Sequence, residues 1–317
     1  MSLFLWPRLR LGIISVLVIS VVATVFGCGG DDDTASNGEG KIKVVATLPL
    51  FADFVRQIGG DRVEVTSLVP AGADPHTWEP SPSDVQRVAE ADVAFANGMG
   101  LEPAAINLVE TNLREGVPLV ILSDLPNRPP CTLGCILESV GKPRNPHLWM
   151  YIGGGVDYAG LVAASLSMLD PEAAASYDAN RKAYFTELES TFGYVQSRLQ
   201  PIPARNRKLI TTHSAFEYFA GGFGLEFVAS VTEGPGNEPT PEDVANLARA
   251  IEREGVPAVF VEPQISAESD ILRQAAEDAG VEICTLYSDS LDDKVTSYVE
   301  LMRFNADELA RCLGVEG

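Results

Sequence analysis

Apolar positions between residues 41 and 317 follow two alternating periods. Short apolar runs at 41–47, 63–69, 91–96 and 118–122 read as strands, the second by alternation of apolar and polar residues. Between them, 51–58, 83–89 and 102–112 read as helices. Gly59 and Gly60 close the first helix, and Asp84 sits in the first turn of the second, where its charge suits the helix N-terminus. The same alternation returns further on, with strands at 208–212, 225–231, 257–262 and 281–286. Helices at 241–254, 267–279 and 292–314 accompany them, the first capped by Thr240. Strands alternating with helices predict parallel, helix-covered sheets. The expected class is α/β, with two parallel-sheet lobes.

Between the two series lie helical stretches at 155–169 and 171–199, separated by Asp170 and Pro171. Asp170 is the expected cap and Pro171 suits a first helical turn. Tyr177, Tyr184, Leu188, Phe192, Val195 and Leu199 supply an apolar face. A helix over 171–199 would be roughly 43 Å long, a strut between the lobes. Pro201 and Pro203 end it. The expected plan is a first lobe at 41–150, a helical segment at 151–203 and a second lobe at 204–317. Neither a short-period repeat nor a heptad pattern is visible.

Residues 1–28 read as an export signal, with Arg8 and Arg10 ahead of an uncharged run over 11–26. The end of this run, Val25-Phe26-Gly27-Cys28, resembles a lipobox, which makes Cys28 the lipidated N-terminus of the mature chain. The competing reading is an uncleaved membrane anchor. In either case the rest of the chain is expected outside the cytoplasm and tethered to a membrane. Residues 29–40 are small and acidic, too polar to bury a core, and read as a flexible tether.

A formal net charge of -21 argues against nucleic acid or an acidic membrane surface as a partner, and suits attraction of cations. Five cysteines are present, and Cys28 is assigned to the lipid. In an oxidising compartment the simplest pairing of the rest is Cys131 with Cys135 and Cys284 with Cys312. A soft site of four thiolates is the alternative, although the spacing lacks the paired C-x-x-C form.

The chain holds only three histidines, and each sits in a pointed local context. His76 lies in Gly72-Ala73-Asp74-Pro75-His76-Thr77-Trp78, a turn flanked by prolines. His147 lies in Asn145-Pro146-His147-Leu148-Trp149, and His213 follows the strand at 208–212. Asp289, in Leu286-Tyr287-Ser288-Asp289-Ser290, follows the last strand. These four residues stand 71, 66 and 76 positions apart, which excludes a local finger or a single-helix site. Loops at the carboxyl ends of strands, where open α/β sheets place ligands, would bring them together. Imidazole nitrogens and a carboxylate oxygen are suited to a divalent metal.

These motifs resemble the histidine motifs of the metal-binding solute-binding proteins of ABC transporters, the ZnuA/TroA family. Glu238-Pro239-Thr240-Pro241 and Phe260-Val261-Glu262-Pro263-Gln264-Ile265-Ser266 are also similar to family signatures, and the likeness runs over 41–317. The resemblance implies two α/β lobes joined by a long rigid helix, with metal in the cleft between them. It implies a lipoprotein that delivers metal to a membrane permease driven by a separate ATPase; this chain has no Walker-type loop. A monomer is expected. Carried onto this sequence, the ligands are His76, His147, His213 and Asp289. Glu217, one helical turn beyond His213, is a candidate extra ligand but is expected at the surface or supporting the site; Glu262 is placed to hydrogen-bond a ligand, and Trp78 and Trp149 are expected to pack in the core beside the site.

Three imidazoles and a carboxylate favour zinc over magnesium or calcium. Manganese-type relatives often carry glutamate where His213 stands, which also points to zinc. A manganese/iron-type receptor of the same family stays the alternative, with manganese as the ion, because the loop at 125–144 lacks the histidine-rich run of many zinc-specific relatives and carries two cysteines instead. An exported zinc hydrolase would need an open coordination position and a base, and no H-E-x-x-H run occurs. A surface adhesin is the interaction-module alternative, a role described for relatives. The expectation is a transport receptor and not an enzyme.

Overall fold

The computed structural model describes residues 40–124, 145–232 and 239–314. The export segment, the tether, the 125–144 loop and Glu238 lie outside the described residues, and with them the expectations for Cys28, Cys131 and Cys135.

The first series of elements is β1 (Ile42–Ala46), α1 (Pro49–Gly59), β2 (Val63–Ser67), α2 (Pro82–Glu90), β3 (Val93–Ala96), α3 (Pro103–Asn112) and β4 (Leu119–Ile121). Its strands form a parallel sheet in the order β2-β1-β3-β4. Next come α4 (Ile152–Leu169) and α5 (Ala174–Leu199). The second series is β5 (Lys208–His213), α6 (Glu217–Phe223), β6 (Glu226–Thr232), α7 (Pro241–Glu254), β7 (Ala258–Val261), α8 (Ser266–Ala279), β8 (Glu282–Thr285) and α9 (Tyr298–Leu313). Its sheet is also parallel, in the order β6-β5-β7-β8. The expected two parallel-sheet lobes are present.

Successive strand residues face opposite cores, as a period of two requires. In β1, Val44 and Ala46 join the large core shared with α1, α4, α5 and α9, while Val45 joins a smaller core under α2 and α3. In the second sheet, Ala258 and Phe260 face the large core, and Val259 and Val261 face one under α7 and α8. Both faces of each sheet are therefore buried, which is why the strands read as nearly continuous apolar runs. The large core runs from one lobe into the other through α4 and α5. By length and composition α4 could cross a membrane, but Tyr158, Val162 and Leu166 are buried in this shared core.

Four features differ from the expectation. The helix over 171–199 is 26 residues long, roughly 39 Å, because Pro171–Ala173 forms a tighter 3-10 turn before it. Phe192 only packs against the edge of the core, and Thr191 takes its place on the buried face of α5. The closing helix begins at Tyr298 and not near residue 292. Asp292 instead builds a turn, its carboxylate accepting from the amides of Lys294 and Val295 at 2.7 and 3.0 Å. Ser297, in extended conformation, then caps α9 through the amide of Glu300. Asp53 of α1 accepts from the Tyr298 amide at 2.9 Å, so a buried carboxylate of the first lobe caps a helix of the second. Finally, α6 has no counterpart among the predicted elements; Gly221 and Gly222 lower its helical signal.

Cys284 and Cys312 form the expected disulfide, joining β8 to α9. Nearby Glu282 pairs with Arg311 at 2.6 Å. With both sulfurs committed, the four-thiolate alternative loses two of its members.

Candidate metal centre

Two of the four residues singled out in the sequence lie at or just beyond strand ends, and the other two lie in turns farther along the chain. His213 is the last residue of β5, and Asp289 follows β8 by four residues. His76 lies in the connection from β2 to α2, held by Asp74 in a tight turn. The Asp74 carboxylate accepts from the amide of His76 and the hydroxyl of Thr77, each at 2.9 Å. The His147 turn is built alike, with the Asn145 side-chain oxygen accepting from the His147 amide at 3.0 Å.

These turns bring the four side chains together, with one ligand-type atom from each within 4.8 Å of all the others. The Asp289 carboxylate lies 3.4 Å from His76 Nε2, 3.3 Å from His147 Nε2 and 3.1 Å from His213 Nε2. His147 Nε2 and His213 Nε2 are 3.3 Å apart. All four side chains are at most 2% exposed.

The outer nitrogens decide the tautomers. His76 Nδ1 donates to the Leu101 carbonyl at 2.7 Å, His147 Nδ1 to Asn145 Oδ1 at 2.6 Å, and His213 Nδ1 to Glu262 Oε1 at 3.0 Å. Each partner is an oxygen that can only accept. In the neutral rings, the three Nε2 atoms therefore turn lone pairs inward, toward a carboxylate that also only accepts. His76 Nε2 and both Asp289 oxygens are buried without a hydrogen-bond partner. Leaving such acceptors unmatched costs about 1–3 kcal/mol each, more for a charged group. A divalent cation is what this donor set fits.

Electrostatics divide the site. Burial pulls the pKa of His147 well below the usual histidine value; the Asp289 charge opposes this, while the neighbouring imidazoles add to it. Burial also pulls at His213, but the carboxylates of Glu262 and Asp289 outweigh it and hold its pKa well above that value. At Asp289 burial favours the neutral acid, and His147 and His213 overcome it, so the carboxyl titrates well below its usual range.

Of the supporting residues read from the sequence, Glu262 is in contact with the site. It follows β7 directly, and its second oxygen accepts from the Ser288 hydroxyl, which in turn accepts from Gln264 at 2.7 Å. Trp149 is fully buried, its ring 5.3 Å from that of His147 and its Nε1 donating to the Ser288 carbonyl at 3.0 Å. Trp78 is partly buried against the large shared core and the smaller core of the first lobe. Glu217 does not share a helical face with His213. A 3-10 turn over Ser214–Phe216 separates the strand end from α6, and among the described residues no hydrogen bond joins Glu217 to the four.

Two supports escaped the sequence reading. One is the Leu101 carbonyl, presented by a loop in which Gly98, Met99 and Gly100 all have positive φ; Met99, at 57°, is the one non-glycine residue of that kind among those described. Glu102 anchors this loop by accepting from the Asn97 amide at 2.6 Å and Thr47 Oγ1 at 2.9 Å; burial pushes its pKa up to about 7. A run of two glycines around Met99 was the available signal, but a backbone acceptor has no residue-type signature. The other is Asn145. Its signal was legible, since Asp74-Pro75-His76 and Asn145-Pro146-His147 repeat one short polar-Pro-His pattern.

Comparison with known proteins agrees with this architecture. Residues 44–312 match the family model described as "ZnuA: Zinc-uptake complex component A periplasmic". The manganese ABC transporter substrate-binding lipoprotein PsaA of Streptococcus pneumoniae is 30% identical, over 96% of this chain and 99% of that protein. The manganese-binding lipoprotein MntA of Halalkalibacterium halodurans is also 30% identical, over 92% of this chain and 94% of that one. Among solved structures, the periplasmic zinc-binding protein TroA of Treponema pallidum superposes with a TM-score of 0.76 at 29% identity, covering 87% of this chain and 100% of that one. The chain belongs to the ZnuA/TroA family of metal-binding ABC transporter substrate-binding proteins. It is a transport component that binds a divalent metal outside the cytoplasm at a membrane, and not an enzyme. That membership implies a membrane permease and an ATPase as partners.

Proposed function

We propose that His76, His147, His213 and Asp289 together hold one divalent ion, zinc, which the protein captures and hands to its permease. The observation that carries this reading is the convergence of three Nε2 atoms on one buried carboxylate, with one ligand-type atom from each residue within 4.8 Å of the others. Three imidazoles and one carboxylate suit the four-coordinate, nitrogen-rich preference of zinc. Four protein donors also leave little room for an activated water, as befits a carrier rather than a catalyst. In this reading 41–150 and 204–317 are the two lobes, 151–203 connects them, and the ion sits between. A lipid on Cys28 anchors the chain, which works as a monomer.

Manganese is the second reading, favoured by PsaA and MntA, both named for that metal at 30% identity. Competitive titration of the metal-stripped protein separates the two. The zinc reading predicts one equivalent of zinc that a large excess of manganese does not displace. Manganese bound equally well or in preference would replace zinc as the cargo.

A further inference from the structure

Asn145 uses both ends of its side chain. Its Oδ1 accepts from the amide and from Nδ1 of His147, at 3.0 and 2.6 Å, and so sets the orientation of that imidazole. Its Nδ2 donates to the Ser214 carbonyl at 2.5 Å, and its own carbonyl accepts from the Tyr218 hydroxyl at 3.0 Å. The two ends belong to different lobes. Asn97, just beyond β3 of the first sheet, donates to the Pro146 carbonyl at 3.0 Å and ties the His147 turn to the first lobe. Ser214 and Tyr218 follow directly from β5 and His213 in the second.

A second crossing lies at the His76 turn, where the amide of Gly72 donates to Ser290 Oγ at 2.8 Å and to the Leu291 carbonyl at 2.9 Å. That crossing starts from a backbone group and touches no imidazole. Trp149 also reaches across, but from full burial in the shared core, where its loss would undo packing. Asn145 is only partly buried, and it couples a ring of the site to the opposite lobe through one side chain.

We propose that Asn145 is a positioning residue that links coordination by His147 to the closed arrangement of the lobes. Resting on the metal-binding reading above, it adds a kinetic role. While His147 Nδ1 stays on Asn145 Oδ1, the amide is held with Nδ2 toward Ser214, so holding the ion and holding the lobes together reinforce each other. Release of the ion then requires that this latch open.

The test uses the full chain loaded with zinc and mixed rapidly with excess chelator. Asn145→Asp keeps an acceptor for His147 Nδ1 but replaces the donor to Ser214 with a second acceptor facing a carbonyl. Zinc release is expected to be about fivefold faster, the equivalent of one lost hydrogen bond of average strength. An effect of the added negative charge alone would slow release, so the direction discriminates. Tyr218→Phe, which leaves His147 and Asn145 side-chain contacts in place, is expected to speed release by a smaller factor. It carries the test if the aspartate variant does not fold.

Amide hydrogen exchange at 214–218 gives a readout that does not depend on the metal, and faster exchange is expected in both variants. Wild-type rates of release and exchange would overturn the latch while leaving the metal site intact. A wild-type chain that binds no zinc, with exchange at 214–218 still loosened in the variants, would instead remove the metal reading and support the contact between lobes.

Discussion

Replacing His147 with alanine is expected to lower zinc affinity by about two to three orders of magnitude while the fold survives. The magnitude follows from the energetics of four-ligand zinc sites, about 10–16 kcal/mol in all, or roughly 2.5–4 kcal/mol for each donor. Survival of the fold follows from where His147 stands. It is 1% exposed, but it lies in a turn, and its ring faces the other histidines, Asp289 and the edge of Trp149. The turn also keeps other anchors, since Asn97 and Trp149 do not depend on the imidazole. Zinc titration by calorimetry, beside circular dichroism of the same sample, checks both halves. Wild-type affinity in a folded His147→Ala protein would remove His147 from the ligand set.

The second large effect is thermal. A ligand that binds only the folded state and is present at a hundredfold above its dissociation constant stabilises it by about 2.7 kcal/mol. For a domain of this size each kcal/mol raises the melting temperature by about 2–4 °C, so zinc should add about 5–10 °C. The increment should grow as pH rises. His147 is already neutral, because burial disfavours its charged form. His213 is held protonated by Glu262 and Asp289 to well above the usual histidine pKa, so zinc must displace that proton.

In the metal-free protein the two histidines oppose each other. The raised pKa of His213 gives stability that is complete below the unfolded-state value and is lost as pH rises through the folded one. The lowered pKa of His147 gives stability that is complete above the unfolded-state value and is lost as pH falls through the folded one. The zinc-dependent increment has a single sign, because every proton lost from the site favours the ion. Scanning calorimetry with and without zinc at pH 6 and pH 8 should show the larger increment at pH 8. An increment independent of pH would contradict the displaced proton on His213.

The fold was largely legible because its strands and helices carry different periods. β1, β3, β5 and β7 are buried on both faces and read as apolar runs, and α7 announces itself through Thr240, Pro241 and Asp243. What stayed hidden was set by particular side-chain contacts. Asp292 turns the chain with its own carboxylate, a local alternative to a helix that continuous amphipathic spacing cannot reveal. The candidate site was legible because three histidines are few enough to examine singly, and each sits at the end of a strand or in a proline turn. Its supporting groups were less so. Glu262 could be proposed from its place beside a proline at a strand end, whereas the Leu101 carbonyl leaves no mark in residue type. Glu217 stands four residues after His213, but a strand end and a 3-10 turn lie between them, so that spacing does not put the two on one helical face.

Anomalous scattering at the zinc edge from crystals of the zinc-loaded protein would locate the ion. One strong peak is expected within about 2.0–2.2 Å of His76 Nε2, His147 Nε2, His213 Nε2 and an Asp289 oxygen. A zinc peak elsewhere, or one that any of these four side chains fails to reach, would contradict this ligand set.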